Sequence, residues 1–179
     1  MELQRVILVD QYDNQIGFLE KMEAHKKGLL HRAFSIFIFN AKGEMLLQQR
    51  AINKYHSGGL WTNACCSHPG PGEETLIAAQ RRLKEEVGFN TSLKKIFDFV
   101  YKTDFENGLS EHEFDHVFAG EYDGIINFNK EEVIDVCYKD MREISYSLQT
   151  NSQKYTAWFH LAFPKIEDWW IRRYKQRET

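Results

Sequence analysis

The run Ala33-Phe34-Ser35-Ile36-Phe37-Ile38-Phe39 restricts this chain more than any other stretch of it. Its aromatic and β-branched side chains suit a strand, and both alternating sets are apolar apart from Ser35. A strand with no polar face is buried on both sides, so it belongs inside a sheet and not on a solvated surface. Asn40-Ala41-Lys42-Gly43 then reads as a turn, and Glu44 to Arg50 returns as a hairpin partner.

The remaining elements follow from the same patterning. Val6 to Val9 is a short apolar strand, Asp10 to Asn14 a turn, and Ile16 to Leu19 a second hairpin partner. Leu76, Ala79, Leu83 and Val87 fall at helical spacing across Thr75 to Val87, with Gly88 placed to end the helix. Lys94 to Lys102, Glu111 to Tyr122 and Val133 to Tyr138 read as further strands. Ser152 to Arg177 reads as mostly helical, interrupted at Pro164. Strands, a central helix, more strands and then helices make an α+β order with a mixed or antiparallel sheet, because regular βαβ alternation is absent. Pro, Gly and Ser mark no linker, so residues 1–179 are expected to form one domain.

Composition removes several function classes. Apolar residues make up 42% of the chain and charged ones 27%, enough for a packed core and against disorder. The formal net charge of -3 gives no general attraction to nucleic acid or to an anionic membrane. No apolar run approaches the ~20 residues that cross a bilayer. Met1 to Arg5 reads as a strand start without signal-peptide layout, and three cysteines supply no disulfide framework. A cytoplasmic protein with reduced thiols is expected, with no obligate protein partner evident. The basic stretch Arg172 to Arg177 reads as a solvated helix face.

Four groups of residues could carry chemistry. Glu73, Arg81, Arg82, Glu85 and Glu86 surround the central helix, where Arg81 and Glu85 share a face, as do Arg82 and Glu86. Such a stripe suits a hard divalent cation with arginines turned to phosphate, or else a salt-bridged solvent face. Cys66 and His68, on a loop after Trp61-Thr62-Asn63, place a thiol beside a metal ligand or proton carrier; the alternative is a buried thiol. Glu111 and Glu113 alternate onto one strand face with Asp115 and Val117. There they repel unless a cation or a proton lies between them, or else they mark an exposed edge. His25 and His31 flank Lys26 to Leu30. Together with His68 and the strand carboxylates they would make a set suited to a borderline transition metal.

In combination these residues resemble the type I isopentenyl-diphosphate isomerases. The likeness runs through Leu19 to His25, Leu30 to Ser35, Trp61-Thr62-Asn63, Cys66-Ser67-His68-Pro69, Arg81-Arg82, Glu85-Glu86-x-Gly88, Tyr101, Glu111-His112-Glu113 and Trp158, over residues 3–163. The resemblance implies a Nudix-like fold, a mixed sheet sandwiched by helices with a C-terminal helical segment. It implies interconversion of isopentenyl and dimethylallyl diphosphate, with Cys66 and Glu113 as the proton-transfer pair and Tyr101 assisting. It further implies one Mn2+, Zn2+ or Mg2+ on His25, His31, His68, Glu111 and Glu113, and Mg2+ bridging Glu86 and the substrate diphosphate. Lys21, Arg50, Lys54, Ser67 and Arg82 match substrate-binding positions, and Trp158 matches an indole that faces the hydrocarbon.

Two positions depart from the general Nudix signature, where Ser67 replaces a glycine and Arg82 replaces a glutamate. The second argues against ordinary Nudix hydrolysis, since a metal-binding carboxylate is missing. A Nudix-type diphosphate hydrolase and a non-catalytic phosphate-binding module are the competing readings. The hydrolase would need neither an alkene-facing thiol nor a histidine cluster, and the module would be expected to have lost a proton-transfer residue; this sequence has Cys66, Glu113 and the three histidines together.

Overall fold

A computed structural model describes residues 4–175, and side chains through Tyr174. The expected strand start at Met1 to Leu3 and the end of the tail at Gln176 to Thr179 lie outside the described residues.

The run Ala33 to Phe39 fills β3 (His31–Phe39) to its end, and it is buried throughout. Its two faces build two cores. Phe34, Ile36 and Ile38 pack with Ala78, Ala79, Leu83 and Val87 of α2 (Thr75–Val87). Phe37 and Phe39 pack with Met141 and Ile144 of α3 (Met141–Thr150) and with Phe159, Ala162, Phe163 and Ile166 of α4 (Ala157–Lys175). The strand pattern therefore translates directly into helices on both sides of one sheet.

The sheet is mixed. β1 (Arg5–Val9) and β2 (Gln15–Glu20) form the first hairpin and join β3 at Leu8 opposite His31. β4 (Met45–Arg50) turns back antiparallel from Phe39 and continues to β5 (Trp61–Thr62) and β9 (Val133–Lys139). β6 (Cys65–Ser67) pairs antiparallel with β3, so the loop expected around Cys66 is strand at that residue. β8 (Ser110–Glu121) runs parallel to β3 from His31 opposite Glu113 to Phe39 opposite Glu121. β7 (Lys94–Asp104) closes that side antiparallel to β8.

Three differences from the sequence reading have physical causes. α1 (Lys21–Lys27) carries too few residues for a visible period. It exists because the Glu20 carboxylate accepts from the amides of Met22 and Glu23, and Gly28 closes it at φ 60°. α3 was not legible either; it is nucleated by Asp140, whose side chain accepts from the Arg142 amide. Pro164 does not interrupt the tail, since α4 runs through it. Proline there forfeits one backbone hydrogen bond, and the packing of Phe159, Ala162, Phe163 and Ile166 on both sides of it outweighs that loss.

Candidate active site

Strand register assembles the site. Across the sheet Tyr101, Glu113 and His31 stand in one row, because β7 pairs Tyr101 with Glu113 and β8 pairs Glu113 with His31. Further along β3, Ser35 stands opposite Cys66. Glu111, Glu113 and Asp115 are all buried, so the exposed-edge reading of these carboxylates is excluded.

The histidines converge on the carboxylates with their free nitrogens inward. His25 Nδ1 donates to the Lys21 carbonyl at 2.7 Å, and His31 Nδ1 donates to the Leu29 carbonyl at 2.8 Å. Each bond fixes the proton on Nδ1 and leaves the Nε2 lone pair for the site. His31 Nε2 lies 3.2 Å from His68 Nε2 and 3.6 Å from Glu113 Oε1, which is 2.8 Å from His68 Nε2. His25, His31, His68 and Glu113 thus place one ligand atom each within 4.8 Å of one another. Spacings near 3 Å are those of neighbouring ligands on an ion with bonds of about 2.1 Å.

Electrostatics fit the same purpose. Burial presses the imidazoles toward neutrality: His25 falls to about 4, helped by His31, and His68 falls to about 3 against the pull of Glu113. Burial opposes charge on Glu113 too, yet His68 and His31 outweigh it and hold that carboxyl well below the usual range. Glu111 goes the other way, pushed well up by burial and by the charge on Glu113. Burial also lowers His31, but the nearby Glu113 carboxylate more than reverses this. The buried, unpartnered His25 Nε2 completes a donor set of imidazole and carboxylate that fits a divalent metal.

Glu111 is the one expected ligand placed apart from this group. It falls in a second set with His25 and His56. Tyr101 links the carboxylates, its hydroxyl donating to Glu113 Oε2 at 2.7 Å with Glu111 Oε2 at 3.1 Å.

The adjacent cysteines separate cleanly. Cys65 is fully buried in the core under α2, whereas Cys66 lines a cavity with Arg50, Tyr55, Ser67, Tyr101, Glu113 and Trp158. The Cys66 thiol donates to Asn63 Oδ1 at 3.1 Å and lies 3.5 Å from Ser35 Oγ, which donates to Asp115 at 2.7 Å. Burial, then the nearby Asp115, pushes the thiol up and keeps its proton on sulfur. Ser67 lies in extended backbone, so no glycine is required where the Nudix signature has one.

Four cations lie close enough to repel one another, and one of them, Arg50, lines the cavity. Burial lowers Lys21 to about 8, and Lys54, Arg82 and Arg50 add their repulsion. Lys54 pairs with Glu132, Arg50 stacks on the Trp158 ring at 5.0 Å, and Arg82 Nη2 donates to buried Glu86 at 2.6 Å. Gln48 donates to the other Glu86 oxygen at 3.0 Å. Like charges held together inside a protein mark a place for a polyanion. Glu73, by contrast, is bound to Arg81, which also holds Glu85, as a solvent-facing ion network. That part of the helix stripe is structural.

Asn63, Ser35 and Asp115 were named from sequence without a role in the site, and Tyr55 and His56 were not named at all. Only His56 carried a signal, as a histidine shortly after Arg50 and Lys54 in a turn-rich stretch.

Residues 29–159 match the NUDIX domain, and the fold agrees. The MutT protein from Methanosarcina mazei Go1 superposes with a TM-score of 0.63 at 19% identity, covering 78% of this chain and 94% of that one. A Deinococcus radiodurans protein gives 0.68 at 17% identity, covering 82% and 90%. A Nudix fold carrying a buried His/Glu cluster and a cationic rim defines the class. Among sequence relatives, the isopentenyl-diphosphate Delta-isomerase of Pectobacterium atrosepticum is 49% identical over 95% of both chains. That of Serratia proteamaculans is 50% identical over 86% of both. This chain belongs to the isopentenyl-diphosphate Delta-isomerase family.

Proposed function

We propose that this enzyme interconverts isopentenyl and dimethylallyl diphosphate, a step of isoprenoid biosynthesis, through proton transfers at Cys66 and Glu113. The observation that carries this reading is that a thiol held protonated and a metal-site carboxylate line the same buried cavity.

In the forward direction one of the pair places a proton on the terminal methylene carbon, leaving a tertiary cation. The other takes a proton from the carbon next to the CH2–O group, and the double bond forms there. One proton enters and one leaves, so the product differs only in the position of the double bond. Tyr101 orients Glu113 through its hydroxyl. Trp158 offers a π face to the cation, as it already does to Arg50. Lys21, Arg50, Lys54 and Arg82 hold the diphosphate, with Ser67 on the cavity wall, so binding energy there positions the small hydrocarbon. The cavity measures about 20 Å³, room for a single water.

When bound, a divalent ion (Mn2+, Zn2+ or Mg2+) on His25, His31, His68, Glu113 and Glu111 would neutralise the paired carboxylates and set the proton affinity of Glu113. Glu86 would hold Mg2+ against the diphosphate. The reaction suits a cytoplasmic enzyme acting on a small soluble diphosphate as one domain. Among the described residues no helix is long and apolar enough to cross a membrane.

Isopentenyl diphosphate supplied with Mg2+ and Mn2+ and followed by proton NMR tests the reading. Appearance of the allylic methyl signals with the diphosphate intact is expected. Release of inorganic phosphate or diphosphate without those signals would favour the hydrolase instead.

A further inference from the structure

The four cations that repel one another each have a partner, and the partners are of two kinds. Lys54 pairs with Glu132 and Arg82 with Glu86. Arg50 lies over the Trp158 ring at 5.0 Å, and the Lys21 ammonium lies over the Tyr55 ring at 4.5 Å. Among the described residues the Lys21 ammonium forms no ion pair, and its other side-chain partner is the neutral Gln4 Oε1 at 3.4 Å. Tyr55 and Trp158 line the same cavity as Cys66 and Glu113.

Tyr55 is itself held from several directions. Its carbonyl accepts from Asn107 Nδ2 at 3.1 Å, a residue of the turn between β7 and β8. The ring meets His56 edge-on with centroids 4.3 Å apart, and His25 edge-on at 5.7 Å. The loop between β4 and β5 that carries it has little freedom. Ser57 adopts φ 54°, and a Cβ on Gly58 would lie 2.2 Å from the Ile52 carbonyl oxygen. Two side chains of α1, Lys21 and His25, therefore meet this loop on one fixed ring.

The kind of partner matters for what Lys21 can do. Lys54, Arg82 and Arg50 all repel it, so the ammonium needs an attraction to stay where it is. A carboxylate would supply one, but it would compete with an incoming anion and cancel the charge that binds it. A ring face attracts an ammonium through its quadrupole and brings no net charge of its own. We propose that Tyr55 is a positioning residue for Lys21, its ring face holding the ammonium in place for the substrate diphosphate. The proposal rests on reading this site as one that binds a diphosphate. Tyr55 acts through Lys21, so its removal should matter only while Lys21 is present.

The test titrates inorganic diphosphate with Mg2+ into the folded protein by calorimetry, so that binding is read without turnover. Tyr55→Leu should bind it about 2- to 30-fold more weakly than wild type, and Tyr55→Phe, which keeps the ring face, within about twofold of wild type. In a Lys21→Met background Tyr55→Leu should cost nothing further, because the two residues act as one unit. An equal cost in both backgrounds, or no recovery with Phe, would overturn the role of Tyr55. Failure of wild type to bind diphosphate would overturn it together with the diphosphate site. The expected binding pattern without isomerisation would support the role of Tyr55 and count against the proposed reaction. Should Tyr55→Leu not fold, phenylalanine bearing one, two and three ring fluorines at position 55 decides. Affinity should fall stepwise as fluorine draws charge from the ring face, and equal affinity across the series would refute the proposal.

Discussion

Cys65 and Cys66 are neighbours in sequence with opposite surroundings, and alternation on β6 is the reason. Cys65→Ala removes a fully buried sulfur from the core beneath α2. It should cost about 1 kcal/mol in a denaturation experiment and keep most of the turnover, since the sulfur does not line the cavity. A folded but inactive Cys65→Ala protein would move the chemistry to the wrong face of the strand. Lys21 makes a second prediction at this scale. Burial, with Lys54 and Arg82 nearby, lowers its ammonium to about 8. The charge is thus present below that pH in the free enzyme and lost as pH rises through it. KM for the diphosphate should climb between pH 7 and 9. In Lys21→Met it should already be about 10- to 100-fold higher at pH 7, the value of a charge-assisted hydrogen bond of ~1.5–3 kcal/mol, with little further pH dependence. An unchanged KM profile in that variant would show that Lys21 does not contact the diphosphate.

At the scale of elements, α2 depends on how it stops. Gly88 adopts φ 83°, and a Cβ there would lie 2.1 Å from the Asn127 carbonyl oxygen. Gly88→Ala should lower stability by about 2 kcal/mol or more, measured by urea unfolding, because both the left-handed backbone and the contact are violated. A loss of only a few tenths would mean that the 127 segment yields freely. This stop was legible in the sequence, as were β3, α2 and the alternation along β8, since each rests on a local period. What was illegible is equally specific. The parallel register that sets His31 beside Glu113 joins distant strands, and nothing local encodes which strands pair. α1 is held by two caps instead of a period, and α4 continues through Pro164 because of packing contacts made elsewhere. The histidine and cysteine positions stood out as candidates, but their roles came from resemblance of the whole pattern to a family. Their separate alternatives stayed open until the strands brought them together.

At the scale of the molecule, α1, β3, β6, β7 and β8 each contribute to one end of the sheet, and the carboxylates there are buried against one another. An ion that binds only the folded state stabilises it by mass action. Mn2+ at about 100 times its dissociation constant should add ~2.7 kcal/mol to metal-free protein, a rise of roughly 5–10 °C in the thermal midpoint. No rise would contradict the reading of that cluster as a metal centre. The same assembly sets a protonated thiol and a carboxylate of the His/Glu cluster around one cavity, and these two groups are proposed to exchange protons with substrate carbon. Turnover of isopentenyl diphosphate in heavy water, followed by deuterium NMR, tests this most directly for wild type, Cys66→Ala and Glu113→Gln. Deuterium is expected in the hydrocarbon of the dimethylallyl product for wild type, and no net isomerisation by either folded variant. Isomerisation without deuterium uptake, or an active, folded Cys66→Ala protein, would contradict it.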